Sequence, residues 1–89
     1  MLPKSNKPVI YYFEAVAGTR IIAGESIVLR WDLANAQYAF LLYGDRQDGI
    51  TAPNEIVVSP TETITYRLAA SNQFGEVEKT LTITVDRTP

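Results

Sequence analysis

This sequence predicts an all-β chain folded as an antiparallel β-sandwich of about seven strands, and three observations carry the prediction. Apolar residues alternate with polar ones every second position in several segments, as half-buried strands require. No window of useful length carries the period of about 3.6 residues that marks an amphipathic helix. Gly, Pro, Asn and Asp interrupt the chain at short intervals, which suits hairpins, whereas parallel units would need intervening helices.

The first strand is "PVIYYFEAV", opened by Pro8 because a residue that cannot donate to a ladder suits an edge. "TRII" follows Gly18 and stops at a turn made by Ala23 and Gly24. In "ESIVLRWDL", Ile27, Leu29, Trp31 and Leu33 alternate with Ser26, Arg30 and Asp32, although Val28 interrupts the polar face. "NAQ" turns into "YAFLLYG", which is apolar on both faces and so belongs at the centre of a sheet or beneath a neighbouring module. "DRQDG" is polar and turn-forming, "ITAPN" is irregular or a short edge strand, and "EIVVS" is a strand stopped by Pro60. Ile64, Tyr66, Leu68 and Ala70 then face away from Thr65, Arg67, Ala69 and Ser71. "NQFG" makes a turn in which Gly75 takes a positive φ, and the last strand sets Leu81, Ile83 and Val85 against Thr80, Thr82 and Thr84.

At 89 residues the chain is one domain, since half this length buries too little apolar surface to offset its ordering entropy. Residues 8–86 form the domain, residues 1–7 read as a linker or chain edge, and residues 87–89 as the start of another linker. An apolar share of 46% argues against disorder. The net charge is -2 with Lys and Arg scattered singly, so there is no basic stripe to neutralise phosphates and no nucleic-acid partner is expected. With neither Cys nor His, the usual zinc, iron and copper sites and every Cys/His or Ser/His mechanism are removed. No cofactor is expected. The longest apolar run, "YAFLLY", is far short of the roughly 20 residues that span a bilayer, and "MLPKSNKP" lacks the apolar region of a signal peptide.

"GESIVLRW" together with "SPTETITYRLAASNQFG" resembles the bacterial immunoglobulin-like (Ig-like/PKD-like) β-sandwich modules of surface or secreted multidomain proteins. The matching positions are Gly24, Leu29, Trp31, Pro60, Thr61, Thr63, Thr65, Tyr66, Leu68, Ala70, Asn72 and Gly75, with Pro8, Ile10, Phe13 and Ala15 at the start. The resemblance implies an immunoglobulin-like sandwich that has no disulfide. Where such domains carry their two cysteines this chain has Trp31 and Leu68, and an indole packed on a leucine would fill the gap, each burial contributing about 1.5–3 kcal/mol. Tyr66 matches the tyrosine-corner position, whose hydroxyl would bond backbone at residues 60–63. Trp31, Leu68, Tyr66 and Gly75 are thus structural expectations. Phe74 departs from the pattern, which carries small or polar residues at the hairpin tip.

Asp45 and Asp48 in "GDRQDG" offer two carboxylates to a calcium ion, but the spacing fits no established calcium loop and Asp beside Gly is what a turn wants. As a glycosidase pair they lack a cleft and differently tuned surroundings, so no enzymatic activity is expected. "YYF" at residues 11–13 forces at least one ring outward in a regular strand. Tyr11 and Tyr12, extended by Tyr43 and Phe74, are therefore candidate contact residues for a sugar or a partner. The plainer reading is that a bulge turns two rings inward, or that the outward ring packs on a neighbouring module. Arg30 and Arg67 belong to polar faces and weak surface pairs. None of Asn6, Asn35, Asn54 and Asn72 heads a glycosylation sequon.

The resemblance places the chain outside the cell or at its surface, as a monomeric, non-catalytic module serving as spacer or as protein-interaction or adhesion unit. Its partners would be neighbouring domains of the same chain, another protein or a glycan, with no membrane insertion by this segment. The alternatives are a carbohydrate-binding accessory module of a glycan-active enzyme and an intracellular scaffold domain.

Overall fold

The computed structural model describes residues 6–87, and these fold as two packed β-sheets with no helix. The strands are β1 (Val9–Ala15), β2 (Arg20–Ile22), β3 (Ile27–Ala34), β4 (Tyr38–Tyr43), β5 (Arg46–Gly49), β6 (Asn54–Val58), β7 (Ile64–Asn72) and β8 (Gly75–Asp86). One sheet has the order β1-β3-β6 and the other β2-β8-β7-β4-β5. The sandwich and its alternation agree with expectation, and the count is eight because "DRQDG" is not only a turn. Gly44 and Asp45 make the turn, with Gly44 at φ 58, and Arg46–Gly49 then pair back along β4.

One pairing departs from the antiparallel expectation. β2 runs parallel to β8, with Arg20 opposite Thr84 and Ile22 opposite Asp86. β1 and β2 are one run interrupted near Gly18, whose φ of 101 lets the chain pass from one sheet to the other. No crossover helix is needed, because the whole chain between β2 and β8 supplies the return.

The core is filled from both sheets: Phe13, Ile27, Leu29 and Trp31 from the three-stranded one, and Leu41, Tyr66, Leu68, Ile83 and Val85 from the other. Trp31 and Leu68 belong to this single cluster, 2% and 0% exposed. The indole N–H donates to the carbonyl of Thr51 at 2.9 Å, so its one polar group is satisfied at the β5–β6 connection. Tyr66 is buried as expected, but the tyrosine corner is not formed among the described hydrogen bonds. The Tyr66 ring instead packs on Tyr43 at a centroid distance of 5.1 Å. The upstream segment is held by others: Val85 N–H donates to Thr63 Oγ1 at 3.0 Å, and Gly24 N–H to Pro60 O at 3.3 Å.

Gly75 takes φ 143 and pairs with Asn72 across the two-residue turn of Gln73 and Phe74. "YAFLLY" lies between β7 and β5, inside its sheet as predicted, with Leu41 fully buried and Tyr38 57% exposed on the other face.

Candidate functional site

The aromatic candidates are held apart by the fold. The β1–β3 register slips between Ile10 and Tyr12, making Tyr11 the bulged residue. The bulge does not turn two rings inward. Only Phe13 enters the core; Tyr11 is 60% exposed, and Tyr12 lies on the outer face beneath the Arg30 guanidinium, 5.6 Å from its centroid. Arg30 is shared with Glu14, to which its Nε donates at 2.6 Å. Tyr43 belongs to the other sheet and turns inward onto Tyr66, while Phe74 sits at the β7–β8 turn. Along β4 and β7, Tyr43 and Phe74 are at opposite ends, roughly 20 Å apart at strand rise. The four rings form no contiguous strip.

Asp45 and Asp48 part as well. Asp45 occupies the exposed turn, whereas Asp48 sits on β5 opposite Leu41, on the inward side. Its carboxylate accepts from the Tyr43 hydroxyl at 3.1 Å and from Arg46 at 3.3 Å. Tyr43, Arg46 and Asp48 therefore form one small cluster at the end of the β4–β5 hairpin, with the Arg46 guanidinium also 5.9 Å from the Tyr43 centroid. Burial first, and the bond to Asp48 second, push the Tyr43 phenol above its ordinary value of 10.0. The bond to Asp48 raises Arg46 above its ordinary value too, so it stays charged. The protonated Tyr43 phenol donates its hydrogen bond to Asp48, and the exposed Arg46 presents the positive charge of the cluster. Among the described residues no group of three or more His, Cys, Asp or Glu is placed to hold a metal ion.

On the outer face of the same sheet, a shallow hollow of about 570 Å³ runs from this hairpin over Leu42, Arg67, Glu78 and Thr80. Arg67 and Glu78 approach to only 3.9 Å, both about half exposed, which is the weak surface pairing expected of Arg67.

The opposite end of the sandwich carries a feature that sequence reasoning missed. The Asn72 amide donates to Asn6 O at 3.0 Å and to Asn35 O at 2.7 Å, while its Oδ1 accepts from Phe74 N–H at 2.7 Å. The Asn35 amide donates to Asn6 O at 3.0 Å, with Asn35 itself at φ 64. Three segments distant in sequence are tied by amides, and Lys7 is laid across Gly75. The signal was the Asn in each of two turns, read there only as turn chemistry.

No family model matches this chain, and no curated protein does. No helix among the described residues is long and apolar enough to cross a membrane.

Proposed function

We propose that the chain is a non-catalytic immunoglobulin-like module of a larger bacterial surface or secreted protein, acting as spacer or as protein-interaction or adhesion unit. The observation that supports this best is where the ends of the domain lie. Asn6 and Lys7 are bound beside the β7–β8 turn, while Asp86 ends β8 beside β2 at the far end. β8 runs twelve residues between them, roughly 40 Å of strand, in a body of 59 × 24 × 15 Å. Chain entering at one end and leaving at the other gives units that string out, which suits projection of a more active domain.

The immunoglobulin-like assignment draws support from the strand order. β1, β3 and β6 in one sheet and β8, β7, β4 and β5 in the other follow the order of such sandwiches, with the β1–β2 run divided between the sheets. The carbohydrate-binding alternative has no contiguous aromatic strip behind it.

The test is small-angle scattering from two copies joined directly in tandem. A maximum dimension close to double that of one unit is the expected result. A dimension little larger than one unit, from copies folded back on each other, overturns the spacer reading.

A further inference from the structure

We propose that the open edge of β6 accepts one extended segment of another polypeptide, which becomes the fourth strand of the three-stranded sheet. The proposal names a partner class for the protein-interaction part of the reading above and rests on that part alone; the tandem-scattering test does not involve this edge.

The sheet edges are not equally defended. An edge is protected by shortness, Pro, bulges or charges on its inward face. β1 follows Pro8 and is bulged at Tyr11, and β2 has three residues. β5 has four residues and carries Arg46 and Asp48 on its inward side. The part of β8 not covered by β2 has Lys79 opposite the core residue Leu68. β6 follows Pro53, but it is longer than β2 and β5, has no bulge and carries no charge on its inward face. Its sequence Asn-Glu-Ile-Val-Val has apolar Ile56 and Val58 inward, and Val57 outward at 62% exposure.

The backbone of β6 is also presented for pairing. Val16 N–H donates to Val28 O, so in the alternating antiparallel pattern the even residues of β3 bond towards β1 and the odd ones towards β6. Asn54, Ile56 and Val58 are thereby used by β3, and the N–H and C=O of Glu55 and Val57 point to the open side. Glu55 N–H is in fact taken by the Asn54 side chain at 2.8 Å, as a group outside the ladder would be. The Glu55 carbonyl and both Val57 groups are left for a partner.

β1 lies against β8 and β7 of the other sheet, and β6 is the end strand of its own sheet, as β5 is of the other. The connection from β5 to β6 closes one end of this edge, where Thr51 O accepts from the Trp31 indole and Ile50 and Ala52 pack on the core. The rest of the edge, at Glu55 and Val57, is where an added strand would pair.

The edge also specifies the occupant's chemistry. Glu55 is exposed and makes no ion pair among the described residues, unlike Glu14, which holds Arg30 in the adjacent position of the same row. Val57 ends a row that runs through Val28 to Val16, itself 54% exposed. The partner strand is therefore β-branched opposite Val57, apolar on its inward face, and basic opposite Glu55.

The experiment titrates the isotopically labelled chain with the capped hexapeptide Thr-Val-Val-Ile-Lys-Thr, which places Lys opposite Glu55 in antiparallel register. An edge contact of this size lies in the weak class, so peptide is taken to on the order of 1 mM. Expected are amide shifts and slowed exchange centred on Val57 and Glu55. Affinity should fall about 2- to 5-fold when the peptide Lys is replaced by Glu, and binding should be lost when its central Val is N-methylated. Peptide variants leave the fold of the protein untouched. No shifts on β6, shifts centred on β5 or β8, or indifference to N-methylation each overturn the proposal. So does a doubling of mass in the absence of peptide that removes the β6 response, since the edge would then belong to a second copy.

Discussion

Trp31 and Leu68 stand where the resemblance places a disulfide, and a double-mutant cycle between them tests whether packing has replaced it. They enter one core cluster from opposite sheets, 2% and 0% exposed. Leu68→Ala removes three buried carbons at about 0.8 kcal/mol each, and the unfilled cavity brings the total to about 2–5 kcal/mol. Trp31→Leu removes ring volume and strands the Thr51 carbonyl now bonded at 2.9 Å, and also costs about 2–5 kcal/mol. A chain of 89 residues has roughly 4–13 kcal/mol of stability to lose, so each variant stays folded or falls measurably close to the limit. Urea unfolding followed by far-ultraviolet circular dichroism, with a stabilising osmolyte for the double variant, gives the coupling. Side chains in contact should show non-additivity of at least about 0.5 kcal/mol. Additivity within about 0.3 kcal/mol would refute the reasoning: the two residues would then contribute separately to the core, and no pin would join the sheets.

Gly75→Ala is expected to cost about 1–2 kcal/mol, because φ 143 disfavours any side chain and the new Cβ would sit 2.8 Å from the Lys7 side chain. Lys7→Ala in the same chain should restore only a minor part in thermal melts, since the lysine is flexible and the backbone strain is not. Asn72→Ala removes two donated hydrogen bonds and one accepted one, so about 1–3 kcal/mol should be lost, with amide exchange fastest at Phe74. The fold should also weaken in alkali. Tyr43 and Tyr66 are both raised above 10.0, burial being the first cause in each. A raised phenol holds its proton more tightly in the folded state, so its contribution is complete below about pH 10 and is lost as pH rises through the folded value. Unfolding free energy measured across that range should fall, and less steeply in Tyr43→Phe.

The inward faces of most strands were legible because side chains alternate whatever the partner: Leu29 and Trp31, Tyr66 and Leu68, Ile83 and Val85 point where their spacing puts them. The hairpin at Asn72 and Gly75 was equally local, since a positive φ is a property of one residue and its turn. "YYF" admits a bulge, but its position at Tyr11 and its outward direction are not legible in the sequence, because register depends on how β1 meets β3.

By itself, then, the sequence determined the strand class, the inward residues and the want of thiol and imidazole chemistry, all of which follow from side-chain identity and a two-residue period. Tertiary structure alone decided the rest. It made β2 parallel to β8, drew Asp48 to Tyr43 and away from Asp45, joined Asn6, Asn35 and Asn72, and left β6 at an open edge. Each of these depends on which strands become neighbours after long loops close, and no local pattern encodes that choice.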